Sequence, residues 1–311
     1  MPALSRFIRY FMAVGRLGSI RRAADELSVS ASAIDRQILN AEARLGVQLF
    51  ERLPTGLRLT AAGEVMMAAG GRWQKQLGDT LSQIEDLRGL KRGHVDIAVI
   101  DALAKGVMPA AIHAIQQSHP GITMGVHVLG NEQVRRAIAA NDVDFGILFD
   151  PQSYQDLTVR AFVDVVLGIV SPPSHPLARK AEVRFSDCDG QSVILPAAPL
   201  AVHQQVAVLE ATSGVSLHRR VTSDNIQMIA SLIEAGDSIG ILTSLDVSTE
   251  VRAGTLAFTR IVDKVLRPMT LALCTATART PSYAAAMVLR EIEACFTGFA
   301  YRPPGAPAAG A

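Results

Sequence analysis

The sequence predicts an α/β chain of 311 residues with an all-α, winged head, followed by a long helix and a C-terminal α/β half in two units. Three observations predict it. Residues 15–63 hold two short helical patterns, a tight break between them, and then an Arg-flanked turn. Apolar residues keep helical spacing from Thr60 to about Leu90. Beyond Gly93, strand-like and helix-like runs alternate, which implies a parallel sheet with helices on both faces.

The first helix of the central pair starts at Ser19, whose hydroxyl can cap the free N–H groups of the next turn. Ile20, Ala23, Ala24 and Leu27 then share one side, while Arg21, Arg22 and Glu26 face out. Arg22 and Glu26 stand four apart on one face, a spacing that favours an ion pair. Ser28 and Val29 make the break, and Ser30 can cap a second helix to about Leu45. Ile34, Ile38, Ala41 and Leu45 form its buried stripe. Ala31, Ser32, Asp35 and Arg36 occupy the other face near its start, small or polar enough for a helix N-terminus to enter a major groove. Gly46 ends the helix as a left-handed cap. Arg52, Pro54, Gly56 and Arg58 surround the next turn, and Leu57 and Leu59 alternate with Arg58 as in a strand. This reads as a wing, with Arg52 and Arg58 placed to reach phosphates.

Charge supports a nucleic-acid surface. Residues 1–60 carry nine Arg, no Lys and five acids, a formal +4, whereas the whole chain is +1. Positive charge therefore gathers where the groove-reading elements lie, as guanidinium forks suited to guanine edges and phosphates. By themselves these residues also admit a helical domain with solvated Arg, or a head that contacts protein.

Residues 4–64 resemble the N-terminal domain of LysR-type transcriptional regulators. The likeness runs without a gap through Phe11, Gly18-Ser19, Ala23-Ala24, Leu27, Val29-Ser30, Ala33, Arg36-Gln37-Ile38, Glu42, Leu45-Gly46, Leu49-Phe50, Arg52, Leu59-Thr60 and Gly63. It implies an N-terminal winged helix-turn-helix (1–60), a long linker helix that dimerises (61–90), and a C-terminal two-lobed periplasmic-binding-protein-like effector domain (91–300). Lobe one would hold 91–161 and 268–300, lobe two 162–267, with crossovers near 161 and 267. The implied protein is a cytoplasmic regulator rather than an enzyme. Its partners would be double-stranded promoter DNA, a small-molecule effector and its own copies as homodimer or homotetramer, with RNA polymerase left open and no cofactor or metal. Base and phosphate contacts would fall on Ser30, Ala31, Ser32, Asp35, Arg36, Gln37, Arg52 and Arg58. The family often has Gln-Pro where this chain has Ala31-Ser32, and Ser at Asp35, so the operator does not carry over. Ala41 replaces a common Leu, which thins the core under the recognition helix.

Composition bounds the rest. No apolar stretch approaches the ~20 residues needed to span a bilayer, and Arg6 and Arg9 spoil the start as a signal peptide. Cys188, Cys274 and Cys295 give neither a disulfide framework nor metal spacing, and read as reduced, buried thiols. In the long helix Thr60 is the cap, Glu64 suits the first turn, and Met66, Trp73, Leu77, Leu81, Ile84 and Leu87 recur at helical spacing. Gly70-Gly71 and Gly78 predict a bend near 70, or a close helix crossing that needs no side chain.

The later elements are strands over 94–100, 122–129, 143–149, 163–171, 192–195, into Leu242 and over 271–274. Helices fall over 107–118 (with Val107, Ala111, Ile112 and Ile115 inward), 132–140, 200–213, 225–235 and 282–296, and a tail from 301 reads as disordered. This half resembles the family's effector domain more weakly, through Pro109, His119-Pro120-Gly121, Asp144, His175-Pro176-Leu177 and the Ala235–Leu242 turn. Open α/β sheets bind at strand carboxyl ends. That selects Ile100, Asp101, Ala102, Leu129, Gly130, Asn131 and Phe149 in lobe one, and Leu195, Pro196 and Thr222 in lobe two. Asp101 argues against a carboxylate ligand unless it only caps a helix, which keeps a cationic or neutral effector open. A metabolite-binding enzyme and a protein–protein adaptor are the competing classes, but no nucleophile elbow, His pair or paired carboxylates stand out.

Overall fold

The computed structural model describes residues 6–54, 56–86, 93–151, 155–277 and 281–301. The chain divides into two compact units, Met1–Leu90 and Lys91–Ala311.

In the first unit, α1 (Arg6–Leu17) buries Phe11 and Val14 completely. The Phe11 ring lies 5.1 Å from that of Phe50, which pins the helix to the wing. In α2 (Ile20–Leu27) the Ser19 hydroxyl accepts from the Arg22 N–H, as expected. In α3 (Ala31–Leu45) the Ser30 hydroxyl accepts from the Ala33 N–H, and Gly46 closes the helix at φ 70°. The buried stripe is shorter than expected: Ile34 and Ile38 are buried, Ala41 is half-buried and Leu45 is 49% exposed. The last turns of α3 run past the core, and Ala41 and Leu45 line an open groove with Phe7 and Trp73. The expected Arg22–Glu26 pair is also replaced. Arg16 pairs with Glu26, and Arg22 donates to the Leu17 carbonyl. The end of α1 offers both partners closer at hand than the next turn of α2 does.

The wing is an antiparallel hairpin of β1 (Phe50–Leu53) and β2 (Gly56–Leu59), with Phe50 opposite Leu59. Its Leu57 N–H donates to the Gly18 carbonyl at 2.9 Å. Gly56 has φ 135°, and a Cβ there would stand 2.6 Å from that same oxygen, so a side chain is excluded twice over. In α4 (Ala61–Asp86) the Thr60 hydroxyl accepts from the Gly63 N–H and donates to the Gln48 carbonyl. Of the two alternatives for the glycines, Gly70 shows the close crossing, since a Cβ there would meet Met12 Sδ at 2.6 Å. Gly71 and Gly78 face open space. The expected extension to Leu90 lies outside the described residues.

In the second unit, lobe one holds β3 (Gly93–Ile100), α5 (Val107–Ser118), β4 (Ile122–Leu129), α6 (Asn131–Ala139), β5 (Phe145–Phe149) and β6 (Leu157–Val165). Lobe two follows with β7 (Leu167–Ser171), β8 (Glu182–Val183), β9 (Ser192–Pro196), α7 (Val202–Ser213) and β10 (His218–Ser223). It ends with α8 (Ile226–Ala235), β11 (Ile239–Thr243), α9 (Ser248–Ala253) and β12 (Ala257–Ile261). The chain then returns to lobe one as β13 (Met269–Ala276) and α10 (Tyr283–Cys295). The sheet orders are β4-β3-β5-β13-β6 and β10-β9-β11-β7-β12-β8.

Both sheets are mixed, which corrects the expectation of parallel sheets. β3 is parallel to β4 and β5, but the returning β13 enters from the other end and runs antiparallel to β5 and β6. The strand expected over 163–171 is two strands in two sheets: Val165 faces Met269 in lobe one, and Leu167 faces Thr243 in lobe two. The first crossover is therefore at Val166, not near 161. The second falls between Ile261 and Met269. In α5, Met108 is buried with Ile115, while Ala111 stays half-buried. Each lobe has its own core, yet Ile226 and Leu245 of lobe two are buried in that of lobe one. The tail from 302 lies outside the described residues.

Gly63 packs so tightly that a Cβ would overlap the Leu49 carbonyl oxygen. Gly63→Ala is expected to destabilise the head by about 1–3 kcal/mol. Gly71→Ala, in open space, is expected to stabilise it by up to about 1 kcal/mol. Urea unfolding of the full chain, followed at amides of the head by hydrogen exchange, checks both signs.

Candidate functional site

Two sites emerge, one in each unit. In the head, the first turns of α3 present Ser30, Ala31, Ser32 and Arg36 as exposed residues, with Asp35 and Gln37 half-buried beside them. The Ser32 and Ser30 hydroxyls bond at 3.2 Å, so the start of the helix is tidy but open. Arg36 makes no hydrogen bond or ion pair among the described residues. The wing arginines are engaged. Arg52 Nη2 donates to Asp35 Oδ1 at 2.6 Å, and Arg58 grips Glu51 Oε2 through Nε and Nη2 at 3.1 and 2.6 Å. These pairs are largely exposed, so each is worth under about 1 kcal/mol and can yield to a phosphate. Asp35 is therefore not a bare carboxylate on the exposed face of α3, since a cation from the wing already meets its charge.

Glu42 fixes the angle between helix and wing. Its Oε1 accepts from the backbone N–H groups of Leu49 at 2.7 Å and Phe50 at 3.2 Å. One carboxylate on α3 thereby satisfies the two donors that begin β1, and the wing follows the helix as a unit.

The second site is a cavity of about 210 Å³ between the lobes. Of the residues expected there, Ile100, Asp101, Ala102, Leu129, Gly130, Asn131 and Phe149 line it. Leu195, Pro196 and Thr222 do not; Thr222 pairs with Leu195 in the sheet, and the Pro196 carbonyl is taken by His203 Nδ1 at 3.1 Å. Asn131 is held by two bonds to Phe149, giving from Nδ2 to its carbonyl and accepting at Oδ1 from its N–H.

Asp101 does cap a helix, but one in the other lobe. Its Oδ2 accepts from the Ile226 N–H, the first amide of α8, at 3.1 Å. A helix N-terminus favours anions, and here a side chain of the protein fills that place. Two further acids, Asp224 and Asp246, line the same cavity, and no Lys or Arg among the described residues does. Burial pushes the Asp246 carboxyl up to about 7, with hydrogen bonds from the Thr243 N–H and hydroxyl opposing the shift and the Asp101 charge adding to it. Sequence reasoning missed Asp224, Asp246 and the lining at Pro199–Val202, because these residues lie one to six positions beyond the ends of β10, β11 and β9 rather than at the last strand residues themselves.

The thiols are poor nucleophiles. Burial pushes Cys188 and Cys274 each up to about 12, and Cys295 upward as well.

A winged helix-turn-helix joined to a two-lobed α/β clamp with a cavity at its strand ends is the architecture of a ligand-responsive DNA-binding protein. Residues 5–64 match the bacterial regulatory helix-turn-helix protein, lysR family, and residues 88–295 match the LysR substrate binding domain. The chain belongs to the LysR family of transcriptional regulators. It is similar to the HTH-type transcriptional activator CmpR of Synechocystis sp., 24% identical over 247 residues, covering 79% of this chain and 81% of that one. The fold is that of full-length CbnR, solved with its target DNA, at TM-score 0.68 and 21% identity over 92% of this chain and 98% of that chain. The regulatory domain of CcmR from Synechocystis, solved with 2-PG, aligns at TM-score 0.59 and 22% identity over 68% of this chain and all of that one.

Two predictions follow from the geometry. Arg52→Ala frees Asp35 to repel phosphates, so it should weaken DNA binding more than the double variant Asp35→Ala/Arg52→Ala does; a fluorescence-anisotropy double-mutant cycle measures the difference. For Asp246, the folded carboxyl holds its proton to about pH 7 while the unfolded one loses it near 3.8. The folded state then binds more protons across that window, so stability falls as pH rises through it. Denaturation of the full chain at stepped pH should show this slope, and Asp246→Asn should flatten it.

Proposed function

We propose that this regulator reads promoter DNA with the open face of α3 and its wing, and that a neutral or cationic small molecule seated between the lobes controls it. Residues 1–60 would bind DNA, 61–90 dimerise, and 91–300 take the effector, in a homodimer or homotetramer working in the cytoplasm without catalysis. The observation that carries the DNA reading is the Ser30-capped start of α3, whose exposed Ala31, Ser32 and unpaired Arg36 stand beside the Arg52 and Arg58 wing. Arg36 and Ser32 would touch base edges, and Arg52 and Arg58 phosphates, once their carboxylate partners release them. The CbnR complex with its target DNA supports this use of the fold.

The effector class follows from the three carboxylates and the lack of a basic side chain among the lining residues. An anion would need Asp101 to leave the α8 N-terminus and would meet Asp224 and Asp246 besides. A protonated amine would find all three attractive.

Gel shift of the full chain on its own upstream DNA, across a salt series, tests the DNA reading. Affinity is expected to fall linearly in log–log form, and Arg36→Ala to lose the preference for that sequence. Equal affinity for every duplex by the wild type would refute it. A thermal-shift comparison of amines with carboxylates of matched size tests the effector class. An amine should bind more tightly at about pH 8 than at about pH 6, because it favours the ionised form of Asp246 and so displaces its proton.

A further inference from the structure

A second cavity, of about 350 Å³, lies at the back of the clamp where lobe two meets the returning end of lobe one. We propose that it binds a small amphipathic acid, an apolar body carrying one carboxylate, and that its occupancy acts on the crossover between the lobes.

Its walls come from both lobes. Val107 and Phe299 belong to lobe one, and Leu245 and Phe258 to lobe two. Phe258 meets Tyr301 with ring centroids 5.5 Å apart, which closes one side across the lobe boundary. These apolar and aromatic surfaces suit a ring or a short chain. The polar groups suit one anionic end. Arg252, an exposed residue, lines the cavity, and its guanidinium makes one hydrogen bond, from Nε to the Ser248 carbonyl at 3.2 Å, with no carboxylate partner among the described residues. The nearest acid on its helix, Glu250, is already met by Lys105 at 2.8 Å. Ser244 also lines the cavity, but its Oγ is turned away from it, buried and without a hydrogen-bond partner among the described residues, so the guanidinium is the group that meets the acid. An Arg beside an apolar floor is the complement of a monocarboxylate, just as the three acids of the front cavity are the complement of an amine.

The position couples the site to lobe movement. The Ser244 N–H donates to the carbonyl of Val166, the residue at which the chain first changes sheets. The same segment, from the last residue of β11 to the first of α9, lines the front cavity with Thr243 and Asp246 and the rear one with Ser244, Leu245 and Ser248. A ligand in either cavity therefore presses on one shared segment. Under reciprocal linkage, each ligand must alter the affinity for the other if the segment has two arrangements.

The test uses phenylacetate as the acid probe and phenylacetamide as its neutral match, with binding to the full chain followed by saturation-transfer NMR and thermal shift. Phenylacetate is expected to bind at millimolar concentration or better, and Arg252→Gln to weaken it about tenfold while leaving phenylacetamide unchanged. Ser244→Leu, which fills the cavity, is expected to abolish both. Since a filled cavity can disturb folding, Arg252→Lys serves as the second variant and should retain most of the affinity by keeping the charge. The proposal is overturned if phenylacetate does not bind, or if Arg252→Gln binds it as the wild type does. It is equally overturned if Asp101→Asn, in the front cavity, changes phenylacetate binding more than Arg252→Gln.

Discussion

The geometry of the head turns on one carboxylate. Glu42 accepts two backbone N–H groups at the start of the wing, and no other side chain ties α3 to β1 in this way among the described residues. The Asp35–Arg52 pair joins the same two elements at the surface, so helix and wing hold one mutual angle without a ligand. A contact surface held in advance does not have to be ordered at the moment of binding, and that ordering would otherwise subtract from affinity. The Leu57–Gly18 bond and the close approach of Gly56 fix the opposite end of the hairpin, so the wing is held at both ends.

The clamp uses the same device on a larger scale. Asp101 reaches from the end of β3 to the first amide of α8, and Lys105, four residues later, reaches Glu250 in the same lobe. A single loop of lobe one thus holds lobe two at two points, with Ile226 and Leu245 packed into its core. Because a carboxylate of the protein occupies the helix N-terminus, the cavity beside it carries negative charge rather than a vacant anion site. In the proposed reading, that substitution of a side chain for a ligand sets the chemistry of the effector.

Local features were legible in the sequence because their causes are local. Ser19, Ser30 and Gly46 cap their helices as expected, since a cap is decided within four residues. The strand ends at Ile100, Leu129 and Phe149 fell in the cavity for a similar reason, as the βα order of lobe one is written plainly. What could not be read depends on distant partners. Asp35 meets Arg52 across 17 residues, and Asp101 meets Ile226 across 125. β10 is an exposed edge strand with His218, Arg219 and Arg220 in a row, so it lacks the alternation that marks a strand. Val165, Val166 and Leu167 are all strand formers, and nothing at Val166 itself shows that the chain changes sheets there. Nothing next to Asp246 in the sequence marks it as a buried acid.

Hydroxyl-radical footprinting of the full chain on its own upstream DNA probes the reading surface most directly. The expected result is protection in patches separated by about one helical turn, or a multiple of it, on one face of the duplex. Glu42→Gln should blur those patches by loosening the wing, while the start of α3 still protects its groove. Uniform protection along the fragment, or a pattern that ignores both Glu42→Gln and Arg36→Ala, would contradict the claim that this helix and wing read DNA as one body.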